Sequence, residues 1–281
     1  MTALLRLTSL LNLTSLHLLS VLLAAYLSIA RSKHLKVTSR NISLCYAHQE
    51  PAANQQLIKT SVREYSKTAF ETGKIWYCND IHFRSMLLSI EGLENMIEGS
   101  AIVMTPPLGN REVVMRYLGQ EFNTTEYYHT NSATSFDELI RKRRCSMGIA
   151  LLEHTKECRL RLLEKLRDGE VVTICPDQQP RLRGGAFIPF FNVAALTTLT
   201  LPYLLRESHP ALVFGIALRE DPGFRLYLHR CDYDVEADDK AMLLNINRQF
   251  EEVVSANCNQ YRWSDKRFNI RPQGVEKLYR F

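Results

Sequence analysis

The sequence predicts an α/β fold, a mostly parallel sheet flanked by helices, with a membrane-anchor helix at the amino terminus. Three observations carry that expectation. Helix-like and strand-like hydrophobic periodicities alternate from about residue 40 onward, as they do where helices cover a sheet of parallel strands. Of 281 residues, 46% are hydrophobic and 23% charged, which supports a packed core and excludes a disordered, collagen-like or low-complexity chain. The start of the chain differs from the rest in carrying a long uncharged stretch.

That stretch runs from Leu7 to Ala30, 24 residues without Asp, Glu, Lys or Arg and without Gly or Pro. As one helix it reaches about 30 Å, the hydrocarbon thickness of a bilayer. Thr8, Ser9, Asn12, Thr14, Ser15, His17, Ser20 and Ser28 dilute it. A retained anchor, a buried core helix and a cleaved signal are the three readings. The length of the stretch and the lack of a small-x-small cleavage site favour the anchor. Arg31, Lys33, His34, Lys36 and Arg40 follow at once; basic residues there keep the remainder in the cytoplasm and suit anionic head groups. Residues 1–35 are therefore expected to form the anchor and its basic flank, and 36–281 one α/β domain, with no internal repeat or linker.

Within that domain, Leu57, Val62, Tyr65 and Ala69 give a helix over 55–72, and Met86, Leu87, Ile90, Leu93 and Ile97 a second over 82–97. Ala101-Ile102-Val103-Met104 reads as a strand broken by Pro106-Pro107 and Gly109, after which a helical pattern resumes at Val113. A helix over 136–145, strand 148–152, helix 156–167 and strand 171–175 follow. The apolar run 186–191, helix 197–207, strands 211–218 and 225–229, helix 239–256 and a basic tail complete the order. In such folds the active residues sit on loops after the carboxyl ends of strands, here 105–112 and 176–185.

Composition and motifs exclude several classes. Seven scattered cysteines without a CxxC pair argue against a disulfide framework and a structural zinc site. Eight histidines show neither HExxH nor a ligand cluster, and no GxSxG, GxGxxG or Walker loop occurs; no cofactor or metal is expected. The formal charge of +5 suits an anionic surface or acidic partner. Basic residues with Tyr261, Trp263 and Phe268 between residues 261 and 281 suit a membrane interface as well as single-stranded nucleic acid. Beside an anchor the membrane is the better partner, so no nucleic-acid ligand is expected.

The loop Thr105-Pro106-Pro107-Leu108-Gly109-Asn110-Arg111-Glu112 places a Glu in the first turn of a helix, where it also simply complements the helix dipole. The loop Pro176 to Gly185 brings Asp177, Gln178 and Arg183 against paired glycines and the apolar run Ala186 to Phe191. It offers polar groups to an anion or thioester and an apolar wall to a chain; an Asp-initiated turn feeding a core strand is the plain alternative. Arg141-Lys142-Arg143-Arg144 is a basic run on a helix, either a solvated face or a phosphate receiver.

In their order these segments resemble the bacterial lipid A biosynthesis acyltransferases, relatives of the glycerolipid acyltransferases. The resemblance covers nearly the whole chain. It rests on Arg40-Asn41 through Cys45-Tyr46, on Glu71 to Trp76, and on Thr105 to Glu112 at the family's HxxxxE/D block. It continues with Tyr128 to Asp137 followed by Arg141 and Arg144, Asp177-Gln178 with Gly185 to Phe191, and Gln260-Tyr261 to Arg271-Pro272. It implies a mixed, glycerolipid-acyltransferase-like sheet at the cytoplasmic face of the inner membrane. It also implies transfer of an acyl chain from acyl carrier protein to a hydroxyl of a lipid A precursor or similar lipid. In that chemistry a His is the general base and the acidic residue five positions on orients it. Glu112 takes the acidic position, but Pro107 stands where the His belongs. Asn110, Arg141, Arg144, Asp177, Gln178, Arg183 and Gly185 are the implied substrate-binding residues, and His129 lies in the family's Tyr-Arg-Pro-like stretch. The alternative is a catalytically inactive homologue that binds lipid or acyl carrier protein.

Overall fold

The computed structural model describes residues 2–96, 99–128, 135–155 and 157–281. The described elements run α1 (Thr2–Ser9), α2 (Leu13–Ile29), α3 (Lys33–Cys45), α4 (Pro51–Tyr77), α5 (Asp80–Ser85), β1 (Leu87–Glu91), β2 (Ala101–Met104), α6 (Arg111–Glu121), β3 (Thr124–Tyr128) and α7 (Ser135–Ser146). They continue with β4 (Ile149–Glu153), α8 (Cys158–Arg167), β5 (Val171–Ile174), β6 (Gly185–Phe190), β7 (Val193–Thr198), α9 (Thr200–Ser208), β8 (Ala211–Glu220), β9 (Gly223–Arg230) and α10 (Asp239–Ala256).

Seven strands form one sheet in the order β1-β9-β8-β2-β5-β3-β4. Pairing is parallel throughout except between β8 and β9, so β1 and β9 run against the other five. The sheet is mixed and mostly parallel, as expected. Its central strands β2 and β5 are buried at every position, the mark of strands covered on both faces. The period of two divides β2 between two cores. Ile102 and Met104 join the apolar cluster that holds Leu162, Leu204 and Phe250 of α8, α9 and α10. Ala101 and Val103 join the one that holds Ile75 and Trp76 of α4 and Val113 and Val114 of α6. A separate hairpin, β6 with β7, turns at Phe191 and Asn192, both at positive φ, the backbone that a two-residue hairpin turn requires.

The amino-terminal segment departs from the single helix expected. Asn12 accepts the Ser15 N–H at 2.8 Å and caps α2, and the capping side chain ends the preceding helix by offering the backbone a better local partner. The uncharged run is thereby split. At 17 residues α2 spans about 26 Å, and no described helix is long and apolar enough to cross a membrane by itself. Its Leu13, Leu16, Ser20, Ala24 and Leu27 are buried, and both α1 and α2 pack on α4. The approach is tight at Gly73, where a Cβ would stand 2.2 Å from the Leu5 carbonyl oxygen. On the opposite side, Leu18, Leu22, Tyr26 and Ile29 are 65–83% exposed.

A second departure is the helix expected over 82–97. The chain forms the short α5 there, pairs as edge strand β1 with β9 and then makes a 3-10 turn over Leu93–Met96; the sheet's free edge overrides the helical spacing of five apolar residues. Strands β3 and β7 were not anticipated. The β3 segment, Thr-Thr-Glu-Tyr-Tyr, carried the β-branched and aromatic signal for a strand.

Candidate active site

Strand register builds the site. Met104 of β2 pairs with Ile174 of β5, and Glu126 of β3 with Thr173 of β5. The loops leaving β2 and β5 therefore emerge side by side at the carboxyl edge of the sheet, with β3 beside them. The β2 loop is fixed along its length: the Thr105 N–H donates to the Ile174 carbonyl at 2.9 Å, that of Gly109 to Gln260 at 3.0 Å, and that of Asn110 to Ala217 at 2.8 Å. Gly109 has φ +64°, and a Cβ there would lie 1.9 Å from the Ala217 carbonyl oxygen, so only glycine fits. Asn110 then caps α6 by accepting the Glu112 N–H at 3.0 Å.

Two buried charge networks hold the loop. In the first, Glu112 accepts from Trp76 Nε1 at 2.6 Å and from Arg144 Nη2 at 2.7 Å. Arg144 also faces Glu126 through Nε at 2.9 Å, and Arg111 Nη2 donates to Glu126 at 2.7 Å. Burial alone would raise the Glu126 carboxyl, but Arg144 and Arg111 outweigh it and hold it below the usual carboxylate range. Arg144 Nη1 is buried and has no hydrogen-bond partner among the described residues. In the second network, fully buried Glu71 accepts from Asn110 Nδ2 at 2.7 Å and from Arg219 Nε at 2.7 and 2.9 Å, and lies 2.7 Å from His17 Nε2. Burial opposes its charge, yet Arg219, His17 and Asn110 keep the Glu71 carboxyl at about 2.

These walls enclose an open cavity of about 880 Å³. Of the residues expected from sequence, Pro107, Asn110, Glu112, Arg144, Asp177 and Gln178 all line it. Asp177 accepts from Tyr261 Oη at 2.5 Å and lies 3.5 Å from Arg267 Nε. Burial pushes its carboxyl up to about 6 against the pull of Arg267 and Tyr261. Cys175 also lines the cavity, its thiol raised by burial.

Three expected residues are placed differently. Arg141 sits behind the wall, bonded to Asp137 at 2.7 Å and stacked over Tyr128, both of which face the cavity. Arg183 lies on the exposed turn Leu182–Gly184, and Gly185 begins β6, so neither lines the cavity and Arg181 does so instead. Gly185 has a packing role, since a Cβ there would meet Pro180 at 2.6 Å and the Thr197 carbonyl oxygen at 2.8 Å. His129 lies outside the described residues. Glu126 was not singled out from sequence, and Trp76 and Arg111 stood there only within the segments Glu71 to Trp76 and Thr105 to Glu112, without a site role.

The model of the bacterial lipid A biosynthesis acyltransferase family matches residues 1–269. The chain belongs to that family. Among its relatives are the lipid A biosynthesis palmitoleoyltransferase of Escherichia coli strain K12, 23% identical over 253 residues that cover 86% of this chain and 81% of the relative. The lipid A biosynthesis acyltransferase of Haemophilus influenzae is 25% identical over 259 residues, covering 85% and 81%. The E. coli lauroyltransferase is 22% identical over 256 residues, covering 88% and 83%. Family membership makes this chain an acyltransferase, and both Glu112 and Pro107 line its cavity.

Proposed function

We propose that this acyltransferase moves an acyl chain from an acyl-carrier-protein thioester to a hydroxyl of a lipid A precursor or a closely similar lipid. The cavity carries the reading. It joins a polar floor of Glu112, Arg144, Asp177 and Gln178 to the side chains of Trp76, Phe136, Ile140 and Ile270, which suit an acyl chain. In the transition state negative charge develops on the thioester carbonyl oxygen. The unpartnered Nη1 of Arg144 is the donor suited to receive it, or a substrate phosphate, because its other nitrogens are already held by Glu112 and Glu126. Glu112 acts through Arg144 and the α6 terminus, keeping the guanidinium in place.

The exposed apolar stripe of α2, followed by the basic residues from Arg31 to Arg40, supports placement of the site against an anionic membrane surface. We assign the surface to the cytoplasmic side of the inner membrane, where carrier-protein thioesters are made. Basic residues at the cavity mouth, Arg181, Arg262 and Lys266, suit an acidic carrier protein. Purified protein given lauroyl-acyl carrier protein and a lipid A precursor should form the ester. Arg144→Met should lower turnover by ~10²-fold or more, the usual cost of a lost oxyanion donor. Equal turnover of the two proteins would remove Arg144 from the mechanism.

Pro107 favours a second reading, a homologue that binds lipid or carrier protein without turnover. It predicts carrier-protein binding by the native chain without ester formation.

A further inference from the structure

Proline at position 107 cannot take a proton, so transfer in this cavity needs its base elsewhere. Register shows where to look. Met104 and Ile174 are direct partners on adjacent parallel strands, about 4.8 Å apart. Pro107 and Asp177 each lie three residues beyond that pair, and both line the cavity. A further link ties them. The Pro107 carbonyl accepts the N–H of Arg262 at 2.9 Å, and the hydroxyl of the preceding residue, Tyr261, donates to Asp177 Oδ2 at 2.5 Å.

The other carboxylates of the cavity are committed. Glu112 is held on both oxygens by Trp76 and Arg144. Glu126 sits between two guanidiniums at 2.7 and 2.9 Å. Asp137 accepts from Tyr128 and Arg141, and Asp265 from Arg262 at the exposed rim. Asp177 is less tightly paired: its Oδ1 has no hydrogen-bond partner among the described residues and its nearest cation, Arg267 Nε, lies 3.5 Å away, whereas Glu126 Oε2, likewise without a hydrogen bond, has Arg144 Nε at 2.9 Å and Arg111 on its other oxygen.

We propose that Asp177 is the general base of this chain, doing from the β5 loop what the family's motif His does from the β2 loop. The inference rests on the acyl-transfer reading above. Oδ1 removes the proton of the acceptor hydroxyl as the oxygen attacks the thioester carbonyl. The new C–O ester bond forms, the C–S bond breaks, and the proton passes from Asp177 to the leaving thiolate of the carrier. Tyr261 positions the carboxylate by holding its other oxygen. Burial, the largest influence, and Asp265 favour its neutral form, while Arg267, the Tyr261 hydroxyl and Arg262 lower the carboxyl; the thiols of Cys175 and Cys45 that face it are raised by burial and carry no charge in this range. The resulting value near 6 leaves the group ionised at neutral pH yet basic enough to accept a proton.

The test uses the full chain with lauroyl-acyl carrier protein and a lipid A precursor. Asp177→Asn should lose ~10²–10⁴-fold in kcat, the usual worth of a general base, with KM for both substrates nearly unchanged. Native kcat should rise with pH through about 6 and level off above it. Tyr261→Phe, which deletes a bond to the ionised form, should move that limb to higher pH. Pro107→His combined with Asp177→Asn should recover at least ~tenfold over Asp177→Asn alone, because a base is restored. Turnover by Asp177→Asn at the native rate, or a native profile flat from pH 5 to 8, overturns the assignment. A native protein inert toward both substrates instead overturns the transfer reading, and the base with it.

Discussion

Glu71→Gln tests whether one buried carboxylate ties the site loop to the helical layer beneath it. The folded carboxyl stands at about 2, against an ordinary Glu near 4.3; at ~1.4 kcal/mol per pKa unit the difference favours the folded, charged state by ~3 kcal/mol. Because the folded value lies below the unfolded one, this stabilisation is fully present above about pH 4.3 and is lost as pH falls through about 2. Gln keeps the shape but turns an NH₂ toward Arg219 or Asn110, both donors. Arg219 then stays buried with Glu64 at 3.5 Å as its one remaining counter-ion among the described residues, and breaking such a pair costs ~3–5 kcal/mol. Urea unfolding followed by tryptophan fluorescence should show the variant ~3 kcal/mol less stable at pH 7, the gap narrowing to ~1.4 kcal/mol at pH 3. A gap under ~1 kcal/mol at pH 7, or one unchanged between the two pH values, would refute the reasoning.

Gly109→Ala should destabilise the fold by more than ~1 kcal/mol and depress activity with it, since the added Cβ displaces the Ala217 carbonyl and with it the cap on Glu112; unchanged melting temperature and turnover would contradict this. Asp177→Asn should raise stability above pH 6 while slowing transfer. Its folded pKa lies above the unfolded value, so the native protein loses up to ~3 kcal/mol as pH rises from about 4 to about 6. Unfolding curves at pH 4 and 8 report it, and a variant less stable at pH 8 than the native chain would sink it. Leu18→Asp with Leu22→Asp should weaken flotation with anionic vesicles by ~10²-fold, two exposed leucines being worth ~1.5–3 kcal/mol each when buried. Retained flotation would place the membrane contact elsewhere.

The site loops were legible in the sequence because their punctuation is local. Pro106-Pro107 and Gly109 end β2, Asn110 opens α6, and Asp177 follows the four-residue β-branched strand β5. Arg144 was visible as part of a basic run, but its isolation from Arg143 and Lys142 as the buried member was not, since burial depends on Glu126 and Glu112 from elements 18 and 32 residues away. Glu71 and Trp76 reach the loop from a helix about 40 residues upstream, so their contacts exist only through the tertiary fold. The amino-terminal helix was misjudged for a local reason. Composition and length weigh Asn12 as one polar residue among many, whereas its place at the start of α2 makes it a cap and divides the run.

The most direct measurement is ester formation by purified native protein and by Pro107→His, side by side, with lauroyl-acyl carrier protein and a lipid A precursor. An acyltransferase working without the motif His predicts product from the native chain, with kcat rising through about pH 6. Product from Pro107→His alone, with the native chain binding carrier protein but forming none, would contradict it.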